Sequence, residues 1–183
     1  CFILISLRKE VVIAAVGYSF VIANSLTVSN KAEGAWKRYN YRVVECTLAS
    51  LLLAVKLGID VDTALRSELR TLKKVAEHFA LDQPLLEVER QMYAGGYSNA
   101  HLEDLLGGGL ERLFPPSSDK PQPPEWEVIA NANTFKLYER AKHVYQEAQR
   151  VEKFKQLCDE GGNADVLAWK LGSLMSASHT SCS

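Results

Sequence analysis

His143 and Glu147 stand four residues apart, the spacing at which two side chains on one helix face can share a metal ion, and Glu139 is the nearest third ligand. The same three residues on a water-facing stripe would simply pair charges, and the pattern favours that solvated reading. Near the end of the chain, Ser178-His179-Thr180-Ser181-Cys182 places hydroxyl, imidazole and thiol together. Neighbours in sequence seldom aim at one another as a catalytic triad does, and no acid stands by to orient the imidazole. Gly107-Gly108-Gly109 could expose bare amides to a phosphate, but no strand feeds it and no Lys-Ser or Lys-Thr follows, so it reads as a helix stop. Tyr39, with Asn40 and Arg42, opens an apolar helix, a place where polar groups are well presented to a ligand. On the residues alone an aromatic there more often folds over the edge of a core.

The elements that must carry these groups follow from periodicity and punctuation. Val11 to Val16 and Phe20 to Leu26 read as two buried strands broken at Gly17. From Trp36 to Leu57 apolar residues recur every three or four positions (Tyr41, Val44, Leu48, Leu51, Leu52, Val55), which predicts a core helix ended by Gly58. Asp62 to Phe79 predicts a second, weaker helix. Pro84 opens a third that runs to about Tyr93, and Ser98 caps a fourth that ends at Leu106.

Pro115 to Pro124 reads as a stiff linker that contains one PxxP, read as a spacer in preference to a ligand for a peptide-binding module. A long helix is predicted from Asn133 or Thr134 to Cys158, roughly 37 Å at the usual rise per residue. Its buried side carries Phe135, Tyr138, Ala141, Tyr145, Ala148, Val151, Phe154 and Cys158. Gly161-Gly162 turns the chain into a last helix from Ala164, bearing Val166, Leu167, Trp169, Leu171, Leu174 and Met175, to make an antiparallel hairpin.

The 183 residues are 47% hydrophobic and 23% charged, enough apolar matter for a real core. Lysine plus arginine (21) nearly balances aspartate plus glutamate (22), so no long-range field gathers nucleic acid or an anionic membrane. The apolar run from Val11 to Ile22 falls short of the roughly 20 residues that span a bilayer. Cys1, Cys46, Cys158 and Cys182 are scattered and few, which suits a reducing, cytoplasmic setting. A cysteine opens the sequence, followed by a strongly apolar start, which suggests a fragment.

Several blocks share one resemblance. Phe20-Val21-Ile22-Ala23-Asn24-Ser25, then Ser29-Asn30-Lys31, then Tyr39-Asn40-Tyr41-Arg42-Val43-Val44-Glu45-Cys46 resemble the middle of a galactokinase, most closely the fungal enzymes. Phe135 to Tyr138, Arg140 to Tyr145 and Glu147-Ala148 resemble the same family in the same order, as do Leu171 to Met175 and Ser178 to Cys182. Leu65 to Trp126 matches loosely, and Cys1 to Tyr18 finds no match.

The resemblance implies an α+β fold of the GHMP kinase superfamily, of which this chain would be a mostly helical internal fragment. One or two N-terminal strands of the kinase N-lobe would lie within residues 1–35 and a variable helical region within 36–114. The Pro-rich linker would occupy 115–125, and 126–183 would form the helical hairpin that leads into the C-terminal lobe. The reaction implied is transfer of the terminal phosphate of ATP to the C1 hydroxyl of α-D-galactose, with magnesium. The family's sugar loop, phosphate loop, C-terminal glycine motif and catalytic aspartate have no counterpart here, so the chain alone is expected to be inactive. Tyr39 aligns with a tyrosine whose hydroxyl contacts the sugar, and a tyrosine there favours galactose over N-acetylgalactosamine. The alternative is a galactokinase-like galactose sensor whose partner is a transcriptional repressor.

Overall fold

The structure, a computed structural model, describes residues 39–181. The two strands expected between Val11 and Leu26 lie outside the described residues. Among the described residues the chain is helical, with extended pairing only at two isolated bridges, Tyr97 with Phe135 and Ser117 with Lys120. The chain divides into two compact units, whose described parts are residues 39–145 and 146–181.

The first unit is built around α1 (Tyr41–Lys56), which is buried on almost every side from Val44 to Ala54. A helix apolar all round must be a central one. It packs against α2 (Val61–Arg66), α3 (Leu72–His78), α4 (Pro84–Gln91), α5 (Asn99–Leu106) and α6 (Pro124–Asn131). Leu48, Leu51, Leu52 and Leu53 supply the centre of this core, with Leu102, Leu106, Leu110 and Leu113 from the far side. The first unit also holds the opening turns of α7 (Leu137–Glu160).

Local chemistry accounts for the boundaries. The side chains of Asp60, Thr71 and Ser98 accept the third-residue amides of α2, α3 and α5. Gly107, at φ 73°, ends α5 in the left-handed conformation that favours glycine, and Gly107 and Gly108 N–H both donate to Glu103 O. The triple glycine is therefore the helix stop that the sequence suggested.

Four expectations are corrected. The single helix from Asp62 to Phe79 is two, broken at Ser67 to Arg70. There Leu69 turns into the core, and the Arg70 guanidinium donates to Leu113 O and lies 5.7 Å over the Phe114 ring. Those tertiary contacts outweigh the modest propensity of a short helix to continue.

The linker from Pro115 is not extended throughout. Ser117 to Lys120 forms a tight turn, Pro123 is buried, and Pro124 starts α6. Proline at the first helical position followed by Glu125 and Glu127 was the missed signal for that helix. A 3-10 turn at Leu110–Leu113 was missed too; Trp126 Nε1–H ties it to α6 by donating to Glu111 O and Phe114 O.

The long helix starts at Leu137 because Phe135 is held extended, exchanging both backbone bonds with Tyr97 at 2.8 and 2.9 Å. On its predicted buried side, Val151 is exposed and Leu157 is buried instead.

In the second unit, α7 from Gln146 onward and α8 (Ala164–Ser181) form the expected antiparallel pair. Gly161 and Gly162, at φ 63° and 123°, make the turn, and the Asn163 side chain accepts the Val166 N–H to start α8. Glu147 and Arg150 on α7 bond Ser178 and Ser181 near the end of α8. Leu171 of α8 is buried, whereas Val166, Trp169 and Met175 face solvent. Among the described residues no helix is long and apolar enough to cross a membrane.

Candidate functional site

Tyr39 and Asn40 lie in a wide, π-type turn that leads into α1, and the Tyr39 side chain is 69% exposed. Turns of this kind recur at functional sites because they widen the backbone and re-aim a side chain. Asn40 does not cap the helix with its side chain, and no acidic residue stands in the first turn. The head of α1 is also bonded to a segment far away in sequence.

Two ties do this. The Tyr41 hydroxyl donates to Thr134 O, and Glu45 Oε1 accepts the Lys136 N–H at 2.8 Å. Both acceptor and donor segments sit at the start of α7, so the heads of the two helices are locked together. The Tyr41 ring packs against Phe135 with centroids 5.6 Å apart.

Glu45 is fully buried, a costly place for a carboxylate unless charge and hydrogen bonds surround it. Arg42 Nη1 donates to Oε2 at 2.7 Å, and Arg140 Nε stands 3.4 Å from the same oxygen. Arg140 is itself buried, and its Nε makes no hydrogen bond, so it contributes there through charge.

The neighbouring groups are held in their neutral forms. Burial raises the Tyr41 hydroxyl, with Glu45 adding to the rise and Arg42 opposing it, which keeps the phenol a donor at neutral pH. Burial pushes the Cys46 thiol up to about 12, Arg140 drawing it partly back. A thiol so placed is no nucleophile.

The other candidates resolve differently. Glu139 is exposed and His143 is buried, so the solvated stripe is corrected: the helix turns its histidine inward beside Arg140 and Ala141. Among the described residues no group of three His, Cys, Asp or Glu side chains could hold a metal ion. Ser178 Oγ donates to Glu147 Oε2 at 2.8 Å and Ser181 Oγ to Oε1 at 3.3 Å, while His179 is exposed. Those hydroxyls tie α8 to α7; Cys182 lies outside the described residues.

Sequence reasoning missed Glu45 and Arg140 as a pair. The available signal was the single acid of a largely apolar helix, one turn in from its head, which has to find a buried cation.

The arrangement is that of a rigid scaffold presenting one phenol at a helix head. It is suited to binding and positioning, and it brings two separated sequence blocks, Tyr39 to Cys46 and Phe135 to Tyr145, into one junction. No family model matches the chain. Curated proteins do: it is 32% identical to the galactokinase of Dictyostelium discoideum, across 91% of this chain and 34% of that protein. It is 35% identical to that of Candida parapsilosis (87% and 34%) and 32% identical to that of Saccharomyces cerevisiae (90% and 35%). This chain carries galactokinase-family sequence and spans about a third of the length of the curated relatives it matches.

Proposed function

We propose that this chain is the helical part of a galactokinase that contributes Tyr39 to the sugar site, the whole protein moving the terminal phosphate of ATP to the C1 hydroxyl of α-D-galactose. The observation that carries the reading is the exposed Tyr39 phenol at a helix head anchored by the Tyr41 and Glu45 ties. A phenol both donates and accepts, and so matches a sugar hydroxyl, which does the same.

This stretch then acts by holding the sugar in place. Phosphoryl transfer is largely a matter of positioning reactants and neutralising charge, so a fixed sugar contact is a real contribution to it. ATP and magnesium belong to the rest of the polypeptide in this reading. The setting proposed for the protein is the cytoplasm.

The test is galactose-dependent ATP consumption by the full-length protein and by its Tyr39→Phe variant. Loss of one hydrogen bond worth about 0.5–1.5 kcal/mol should raise the KM for galactose by roughly 2- to 10-fold and leave the KM for ATP alone. An unchanged galactose KM would remove Tyr39 from the site. Sugar binding with no turnover would select the sensor instead. The 183-residue chain alone is expected to consume no ATP.

A further inference from the structure

We propose that Glu45 is a positioning residue for Tyr39: its buried carboxylate fixes the head of α1 to the head of α7 and so sets where the phenol stands. The proposal rests on the reading of Tyr39 as a sugar contact.

Three observations carry it. First, α1 runs directly out of the π-type turn at Tyr39 and Asn40, Asn40 itself being helical at φ -63° and ψ -33°, so the phenol follows wherever the head of α1 is set. Second, Glu45 reaches across to a backbone amide, the Lys136 N–H, at 2.8 Å. A bond to backbone fixes position more tightly than one to a long side chain, and Lys136 is itself fixed because Phe135 before it is paired with Tyr97 on both sides. Third, the other carboxylate oxygen holds Arg42 at 2.7 Å, and the Arg42 guanidinium lies 5.9 Å over the Tyr41 ring. Arg42 stands three residues after Tyr39, so the carboxylate also fixes a side chain of the turn that follows the phenol.

Stability alone is a poor reason for such a group. A buried ion pair can often be replaced by apolar side chains at no loss, and its best-attested use is to fix one geometry among several. Here the geometry fixed is the junction of two helix heads, six residues along α1 from an exposed phenol.

The experiment uses the full-length protein that carries this stretch and measures initial rates against galactose and ATP separately. Glu45→Gln keeps the shape and an acceptor for the Lys136 N–H but removes the charge that holds Arg42 and Arg140. It should raise the KM for galactose by about 2- to 10-fold with the KM for ATP unchanged. In a Tyr39→Phe background it should add little, because both changes cost the same contact.

Lys136→Pro gives a second route. It deletes the amide hydrogen while leaving Glu45, Arg42 and Arg140 charged, the one charge lost being the exposed Lys136 ammonium itself, next to a residue already extended as a proline requires. It should shift the galactose KM in the same direction.

Equal rises in both KM values, or effects that multiply with Tyr39→Phe, would make Glu45 merely structural and overturn the proposal. An unchanged galactose KM in Glu45→Gln while Tyr39→Phe raises it would also overturn it, leaving the sugar-site reading intact. If Tyr39→Phe itself has no effect, both fall. If both Glu45→Gln and Lys136→Pro fail to fold by circular dichroism, the anchor serves the scaffold and the proposal falls.

Discussion

Residues 39–145 and residues 146–181 solve the problem of stability in opposite ways. The first region wraps five helices around α1 and can therefore bury a carboxylate and a guanidinium inside an apolar core. The second is a helix pair in which, among the described residues, Leu157 and Leu171 are the buried apolar side chains while Val166, Trp169 and Met175 face solvent. Its helices are joined by a partly exposed knot of Glu147, Arg150, Ser178 and Ser181. The same chemistry, a carboxylate between an arginine and hydrogen-bond donors, is thus worth much in one region and little in the other, because water screens the second.

The contrast can be broken most directly by deleting each carboxylate in turn. Glu45→Ala should cost about 3–5 kcal/mol, since Arg140 would be left buried without its counter-charge. Glu147→Ala should cost about 1 kcal/mol or less. Chemical denaturation of both variants checks this, and equal losses would erase the distinction.

A smaller effect concerns alkaline pH and belongs to the first region alone. The folded-state value for Cys46 is raised from 9.0 to about 12, so the unfolded chain loses its thiol proton first. Its contribution is complete below pH 9 and declines as pH climbs through that window, by about 2 kcal/mol at pH 10.5. Burial raises the Tyr41 and Tyr97 hydroxyls as well and adds to the decline. Cys46→Ala should flatten the fall of the melting temperature between pH 8.5 and 10.5, and an unaltered slope would clear the thiol of any part. Alkylation of Cys46 by iodoacetamide should likewise proceed in urea and be blocked in the native protein.

The smallest expected change sharpens the comparison from the side of the backbone. Ala80 closes α3 at φ 48°, a left-handed conformation that a side chain disfavours. Ala80→Gly should raise stability by about 0.5–1 kcal/mol, glycine's greater freedom when unfolded offsetting part of the relief. Trp169→Ser, at an exposed site on α8, should stay within about 0.5 kcal/mol of the parent. Thermal melts of the two variants decide both.

How much of this was legible in the sequence depended on whether local chemistry or distant contacts set each feature. The caps at Ser98 and Gly107 and the stripe of α1 follow from neighbours within a turn, and they came out where periodicity placed them. The break at Ser67 to Arg70 did not, because it is decided by where Leu69 and Arg70 find partners near Leu113. The start of α7 moved for the same reason, Phe135 being claimed by Tyr97.

In the candidate site, the choice of Tyr39 comes from family likeness. Its anchor was not read at all, since Glu45 and Arg140 are charged residues that a pattern reader sends to the surface. Trp169 is the converse error: its spacing resembles that of a packed residue, yet it faces water.

The lock between helix heads also sets a schedule. Tyr41 meets Thr134 and Glu45 meets Lys136 across 93 and 91 residues of sequence. On a ribosome adding ~5–20 residues per second, α1 therefore waits roughly 5 to 20 s for the segment that satisfies its carboxylate. Through that interval α2 to α6 are made and can gather on its leucines, while the Glu45 carboxylate has Arg42 of its own helix but still lacks Arg140 and the Lys136 amide, so the last bonds of this core close only when α7 begins.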